Sequence, residues 1–474
     1  MQNPWNWNSA SRVALALSMV EEGNLSIDSY HRATKDKAYY NGRYYSDKAP
    51  GMSFMALPYA AAAKFGLNSL SSHIGWVEYE GDKILWVDKK GNITEPFRFV
   101  NQIVTVLTSG LITVITALAI YFVAIRLGAG LGGSVFGALA YGLATPAWGW
   151  ATAFFGHASA GGCLFIGFAA VFFLLHRPGS MGRDILLGFV SGALLSWVVV
   201  IEYTSAPASA IIALYGIYNA RVWERERLIR VFLCAALGAV IFISPLLIYN
   251  HAIMGDAFGS LYKYNLFFPS MKEGFYGIMY PNTDVLIKLL FSSRYGILWF
   301  SPLLITAPLA LWTLWRYKGY KSLVIILTAI AVYYFLWNSS YLYWNGGGST
   351  VPRYLTPMLP FLCLPLAVLW SRSRKQFKAV LLTLLALSFL ISLMCVSVSM
   401  TIGDISEMNM VAEFLLPRFI AGHIQMVSLP VKLIFPESVI YGYYRHLALI
   451  PLYILIAAFL IYIFSQLKKA DRSG

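Results

Sequence analysis

Residues 372–400 read RSRKQFKAVLLTLLALSFLISLMCVSVSM. No charged residue follows Lys378 in this stretch, and four cations (Arg372, Arg374, Lys375 and Lys378) precede the apolar run. A helix needs about 20 mostly apolar residues to cross the hydrocarbon core of a bilayer. This run satisfies that length, and its flank carries the basic charge typical of a cytoplasmic loop. The same pattern recurs on both sides of it. Apolar runs lie at roughly 102–125, 131–149, 157–176, 184–201, 204–219, 230–250, 297–315, 322–341, 354–371, 378–400 and 446–466. The expected fold is an all-α polytopic membrane protein with about eleven transmembrane helices.

Composition agrees. Of 474 residues, 58% are apolar and 12% charged, where a soluble protein carries about 25% charged residues. So apolar a chain has too little polar surface to cover a water-facing shell. The net charge of +14 comes from basic loops between apolar runs, with no soluble basic domain to hold a nucleic acid. The four cysteines (Cys163, Cys234, Cys363 and Cys395) all lie inside apolar runs with no CxxC spacing, and read as small buried residues.

The short connections alternate in charge. One set holds Arg126, Arg177, Arg183, Arg221, Arg225, Arg227, Arg230, Arg316, Lys318, Lys321, Arg372, Arg374, Lys375, Lys378, Lys468, Lys469 and Arg472; the other holds Arg353 alone, so 17 cations face one. The positive-inside rule puts the first set, and the C-terminus, in the cytoplasm of a multi-pass inner or plasma membrane protein. Residues 1–101 then form a large external loop, followed by a bundle over 102–474 with external loops near 251–296, 342–353 and 401–445. An external segment of that length with no span before it implies a first span upstream of Met1. The stretch 51–67 is short and contains Pro58 and Lys64; it reads as a helix lying along the outer membrane surface.

Polar, site-like sequence concentrates on this outer face. Residues 28–51 (DSYHRATKDKAYYNGRYYSDKAPG) bring Asp28, Asp36 and Asp47 into a tyrosine-rich segment with several bases. Lys48 stands at the stiff Ala49-Pro50-Gly51 turn before the surface helix, and a cation beside a helix N-terminus suits a phosphate. A neighbouring carboxylate can take a proton from a hydroxyl. Two arginines, Arg294 in FSSRYGILWFSP and Arg353 in YWNGGGSTVPRYLTP, each adjoin a tyrosine at the mouth of a span. Taken alone, each is better explained by snorkelling to lipid headgroups. The Gly346–Gly348 run lacks the lysine and spacing of a Walker motif and instead lets the backbone approach something closely. Glu202 and Tyr203 occupy a two-residue external turn, and Glu202 and Tyr45 are further candidate substrate contacts. His157, at the start of a span, reads as structural. Neither HExxH, GxSxG nor GKS/T occurs, so hydrolytic serine chemistry and ATP-driven pumping have no visible machinery.

The runs NSASRVALALSMVEEGNLSID (8–28) and GRYYSDKAPGMSF (42–54), with FSSRYGILWFSP and WNGGGSTVPRYLTPMLPF later, resemble the polyprenyl-phosphate-sugar-dependent glycosyltransferases of the GT-C superfamily. The branch is that of the bacterial protein-mannosyltransferase-like and aminoarabinose-transferase-like proteins, which carry an acid–Lys–Pro sequence where this chain has Asp47, Lys48, Ala49 and Pro50. The resemblance implies an inverting hexosyl or pentosyl transferase. Its donor is a polyprenyl-phosphate-linked sugar and its acceptor a glycan, lipid or protein on the non-cytoplasmic face. It implies that Lys48 contacts the lipid phosphate and that Asp47 is an active-site acid; Arg294 and Arg353 are added as phosphate contacts from their charge and position. The family's general base follows its first span, but the matching region here, PWNWNSASR (4–12), holds no acid. The base lies upstream, or Asp36 or Asp47 replaces it, or the chain is inactive. A divalent metal is compatible with this chemistry, though no ligand cluster compels one. The competing readings are a transporter or lipid flippase, which would want charge at mid-membrane, and a surface-polysaccharide polymerase or ligase.

Overall fold

The computed structural model describes residues 6–70, 77–80, 83–176, 179–317, 319–402, 408–424 and 449–473. Arg177, Lys318 and most of the expected external loop 401–445 lie outside the described residues.

The chain is built from helices: α1 (Trp7–Glu22), α2 (Gly51–Leu70), α3 (Glu95–Arg126), α4 (Gly130–Leu143), α5 (Pro146–Ala151), α6 (Gly156–His176), α7 (Met181–Ile201), α8 (Ala206–Ala220), α9 (Arg225–Met254), α10 (Thr283–Phe291), α11 (Pro302–Trp315), α12 (Lys321–Ser340), α13 (Thr356–Arg372), α14 (Lys375–Val398) and α15 (Ile450–Ser473). Among the described residues, six (α3, α6, α7, α9, α12 and α14) are long and apolar enough to cross a membrane, and α4, α11 and α13 are shorter apolar helices. With almost no sheet beside them, these make the chain an all-α polytopic membrane protein.

Two of the expected spans are broken, and the breaks meet. The run 131–149 divides into α4 and α5 before Pro146, and 297–315 divides at Ser301-Pro302 into a single turn (Ile297–Phe300) and α11. Proline disfavours helical geometry in the residue before it. In an apolar surround the freed backbone groups need partners; Ser301 Oγ donates to the Ala144 carbonyl at 2.6 Å. Elsewhere glycine allows close contact. A Cβ on Gly192 of α7 would lie 1.8 Å from the Ala235 carbonyl oxygen of α9, so only glycine permits that approach.

Among the described residues several basic connections touch one another: Arg126 donates to the His176 carbonyl, Arg227 to the Leu174 carbonyl, and Gly128 lies near Tyr317. Here Arg227 Nε pairs with Asp184 Oδ2 at 2.8 Å, and the Arg372 guanidinium lies 4.4 Å from the Tyr317 ring centroid. Arg221, Arg227, Arg316, Lys321 and Lys378 also rest on aromatic rings, those of Tyr218, Trp223, Trp312, Trp315 and Trp370. Such aromatic and cationic pairs fit a headgroup boundary.

The N-terminal segment is joined to the bundle. Asn6 caps α1 by accepting from Ser9 N at 2.8 Å, and Gly23 ends it at φ 61°. Residues Val13–Leu17 are fully buried, in one hydrophobic cluster that continues through Phe165, Leu327 and Leu381. The stretch read as a surface helix is α2, which packs on α1. Its first residue, Gly51, abuts the backbone of Val200 and Ile201, where a Cβ would come within 2.6 Å.

Candidate functional site

A hairpin sets the centre of the site. Strands β1 (Lys37–Tyr40) and β2 (Arg43–Ser46) pair antiparallel around Asn41-Gly42, with φ of 46° and 81°. Positive φ at both turn residues is what Asn-Gly favours in a two-residue hairpin. Register pairs Lys37 with Ser46, so Asp36 and Asp47, one residue beyond, emerge side by side at the open end. Lys48 Nζ lies 3.2 Å from Asp36 Oδ2 and 3.2 Å from Asp47 Oδ2. Ser11 of α1 fixes this end, donating to the Asp36 carbonyl at 2.6 Å and bonding Ser46 Oγ at 2.8 Å. Asp28 is occupied elsewhere in the loop, accepting from Tyr44 N and Ser26 Oγ.

Asp47 is a buried carboxylate with unequal oxygens. Oδ2 accepts from Lys48 and, at 2.6 Å, from Asn265 Nδ2. Oδ1 is buried and has no partner among the described residues. Burial pushes the Asp47 carboxyl up to about 6; Lys48 opposes that push, and the neighbouring Asp36 charge adds to it. For Lys48, burial disfavours the ammonium, but Asp36 and Asp47 outweigh it and raise its pKa.

A second ion pair holds the hairpin to the bundle. Arg12 Nη2 lies 2.8 Å from Glu202 Oε1, Nη1 donates to the Ala49 carbonyl at 3.2 Å, and Nε donates to Asn8 Oδ1 at 3.0 Å. Thus one α1 guanidinium joins the Lys48–Pro50 turn to the end of α7. His157 Nδ1 stands 3.8 Å from Glu202 Oε1. Gly156 leaves room for the carboxylate, since a Cβ there would come within 2.0 Å of it.

Arg353 is placed differently from every other cation here. Its guanidinium lies 5.4 Å from the Phe155 ring centroid and donates through Nη2 to Tyr354 Oη at 2.9 Å. Nε is buried without a partner, and no carboxylate lies within 4.0 Å among the described residues. Lys48 and Asp36 are near enough for their charges to be felt at Arg353.

The sequence candidates therefore separate. Asp36, Asp47 and Lys48 come together, and Arg353 and Glu202 stand around them. Arg294 is buried and donates to the carbonyls of Ser349 and Thr350 at 3.2 and 3.3 Å, gripping the glycine-rich loop upstream of Arg353. Tyr45 is a buried hairpin residue paired with Ala38; burial raises its phenol pKa. Sequence reasoning missed Arg12, Asn265 and the hairpin. Asn-Gly between tyrosine-rich strands was a usable signal for the hairpin, and an arginine inside the apolar face of 7–22 was one for Arg12. Among the described residues no group of three or more His, Cys, Asp or Glu side chains could hold a metal ion; the space between Asp36 and Asp47 is taken by the Lys48 ammonium.

No protein-family profile matches the sequence, and no curated protein matches it. Two crystal structures of ArnT from Cupriavidus metallidurans are similar in fold. The apo form gives a TM-score of 0.48 at 14% identity, covering 81% of this chain and 58% of that one. The form bound to undecaprenyl phosphate gives 0.49 at 13%, covering 81% and 59%. The chain thus spans less than three fifths of the length of these structures, and similarity at this level assigns no role to any residue.

Proposed function

We propose that this chain is a membrane glycosyltransferase that moves a hexosyl or pentosyl group from a polyprenyl-phosphate donor to an acceptor hydroxyl, with inversion, on the non-cytoplasmic face. The observation that carries this reading is the Arg353 guanidinium, walled by aromatic rings, with no carboxylate within 4.0 Å among the described residues, and close enough to Lys48 and Asp36 for their charges to be felt. A buried cation with no counter-ion fits an anionic ligand. The acid–Lys–x–Pro resemblance of residues 47–50 supports the same assignment.

In the proposed reaction Asp47 Oδ1 takes the proton of the acceptor hydroxyl. The hydroxyl oxygen bonds to the anomeric carbon as the bond from that carbon to the phosphate oxygen breaks. Arg353 and Lys48 hold the leaving phosphate as its negative charge grows. Arg294 acts by fixing the loop that carries Arg353, Arg12 and Glu202 by fixing the turn that carries Lys48. Asp36 keeps Lys48 charged. The positive-inside rule puts the basic connections in the cytoplasm and this cluster outside. Its place at the ends of the helices favours a transferase over a transporter, whose ionisable groups belong near mid-membrane.

The test is transfer from a panel of labelled polyprenyl-phosphate sugars by membranes containing the protein. Transfer from at least one donor is expected, with Lys48→Ala slowing it about a hundred- to a thousandfold and Lys48→Arg restoring part of the rate. Transfer only from lipid-diphosphate oligosaccharides would instead indicate a ligase.

A further inference from the structure

Beside Arg353 lies a set of buried polar groups that the transfer chemistry leaves unused. Asn338, near the end of α12, is fully buried, and both Oδ1 and Nδ2 lack a partner among the described residues. Thr356 Oγ1, at the start of α13, and Trp337 Nε1 are likewise buried and unpartnered. Buried amide and hydroxyl groups are nearly always hydrogen-bonded in folded proteins, so such a concentration calls for a ligand or ordered water.

These groups belong to one place. The Trp337 ring meets Tyr341 at 5.5 Å, stacked, and Tyr354 at 5.4 Å, edge-on. Tyr354 in turn meets His157 at 5.1 Å and Tyr341 at 5.6 Å, and its hydroxyl accepts from Arg353. Thr356 stands two residues beyond Tyr354. Asn338 lies one turn beyond Tyr334 on the same face of α12, and Tyr334 Oη is 3.1 Å from Ser205 Oγ, just past Glu202. Asn338 therefore stands on α12 between Tyr334, which reaches Ser205 beside the Glu202 turn, and Tyr341 of the aromatic cluster.

We propose that Asn338, Thr356 and the Trp337–Tyr341–Tyr354 cluster form the subsite for the donor's sugar ring, and that this sugar is uncharged. The proposal rests on the transferase reading above. Aromatic faces pack against the C–H faces of a sugar, and amide and hydroxyl groups match its hydroxyls. Among the described residues, a substituent with a formal charge would find no uncommitted counter-ion. Asp36 is committed to Lys48, Asp47 to Lys48 through Oδ2 and to the acceptor proton through Oδ1, Glu202 to Arg12, and Arg353 is assigned to the phosphate. An amino sugar or a uronic acid would bury an unpaired charge there. A site built to bond sugar hydroxyls discriminates strongly against a ligand lacking them, because its own polar groups then stay unpaired.

The test compares binding of purified full-length protein to sugar-free polyprenyl phosphate and to the same lipid carrying a neutral hexose, a neutral pentose, an amino-pentose or a uronic acid. At least one neutral sugar should tighten binding tenfold or more over the bare carrier, and the charged sugars should not. Asn338→Leu and the near-isosteric Thr356→Val should each remove most of that gain. Both should bind the bare carrier within about twofold of wild type, which shows that the fold and the phosphate site are intact. Retention of the full gain in both variants, or a preference for a charged sugar, would overturn the subsite while leaving the transferase reading in place. Failure of the wild-type protein to bind any carrier lipid would remove the transferase reading itself, and the subsite with it.

Discussion

Arg12 Nη2 sits 2.8 Å from Glu202 Oε1 across 190 residues of chain, with side chains only 2% and 10% exposed. Removing one member of a buried ion pair leaves the other charge uncompensated, at a cost of about 3–5 kcal/mol. Arg12→Met should lower the thermal unfolding midpoint of the detergent-solubilised protein markedly. Lys64→Ala breaks the more exposed Lys64–Glu21 pair and should cost about 0–1 kcal/mol. Equal effects of the two substitutions would show that Arg12 does not hold the N-terminal segment to the bundle.

Asp47 gives the reaction a pH dependence. As a base it works only when ionised, so the transfer rate should rise with pH through about 6 and then level off. Its folded-state pKa is raised from 3.8. The stability this group contributes is therefore complete below that ordinary value and lost as pH climbs through about 6. Asp47→Asn should abolish transfer and flatten that decline in stability; a profile whose midpoint survives Asp47→Asn would move the base elsewhere, with Asp36 the next residue to change.

Asn265 holds the ionised form of Asp47 through its 2.6 Å hydrogen bond. Losing a bond to the charged form raises the pKa further. Asn265→Ala should shift the midpoint of the pH–rate profile above that of wild type. Unchanged midpoint with less protein would assign Asn265 to loop folding alone, since its Oδ1 also accepts from Phe267 N and Phe268 N.

The two ends of the bundle predict opposite compartments. Met410 N donates to the Ser293 carbonyl at 3.1 Å, which puts residue 410 at the end that carries the site. Reporter fusions near Glu413 and after Arg472 should report the non-cytoplasmic side and the cytoplasm respectively. The same compartment for both would contradict the assignment of faces.

Much of this was legible in one sequence because it is local. The run 378–400 is a helix over Lys375–Val398, and some basic connections meet, Arg227 with Asp184 and Arg372 with Tyr317. Prolines 146 and 302 were equally visible, yet their effect was not, because length and apolarity persist across each break. The crowding of Asp36, Asp47 and Lys48 could be expected from a short segment. Contacts over long separations could not: Asn265 reaches Asp47 across 218 residues. Charge alone did not distinguish Arg294 from Arg353 either. The first donates to loop carbonyls and the second has no carboxylate within 4.0 Å among the described residues, a difference set by packing.

The most direct test is binding of sugar-free polyprenyl phosphate to the purified protein, comparing wild type with Arg353→Ala and Arg353→Lys. A lost charge-assisted contact to phosphate is worth about 1.5–3 kcal/mol, so Arg353→Ala should weaken binding roughly 10- to 150-fold with the fold intact, and Arg353→Lys should recover part of it. Wild-type affinity in a well-folded Arg353→Ala protein would contradict the placing of the phosphate at this guanidinium.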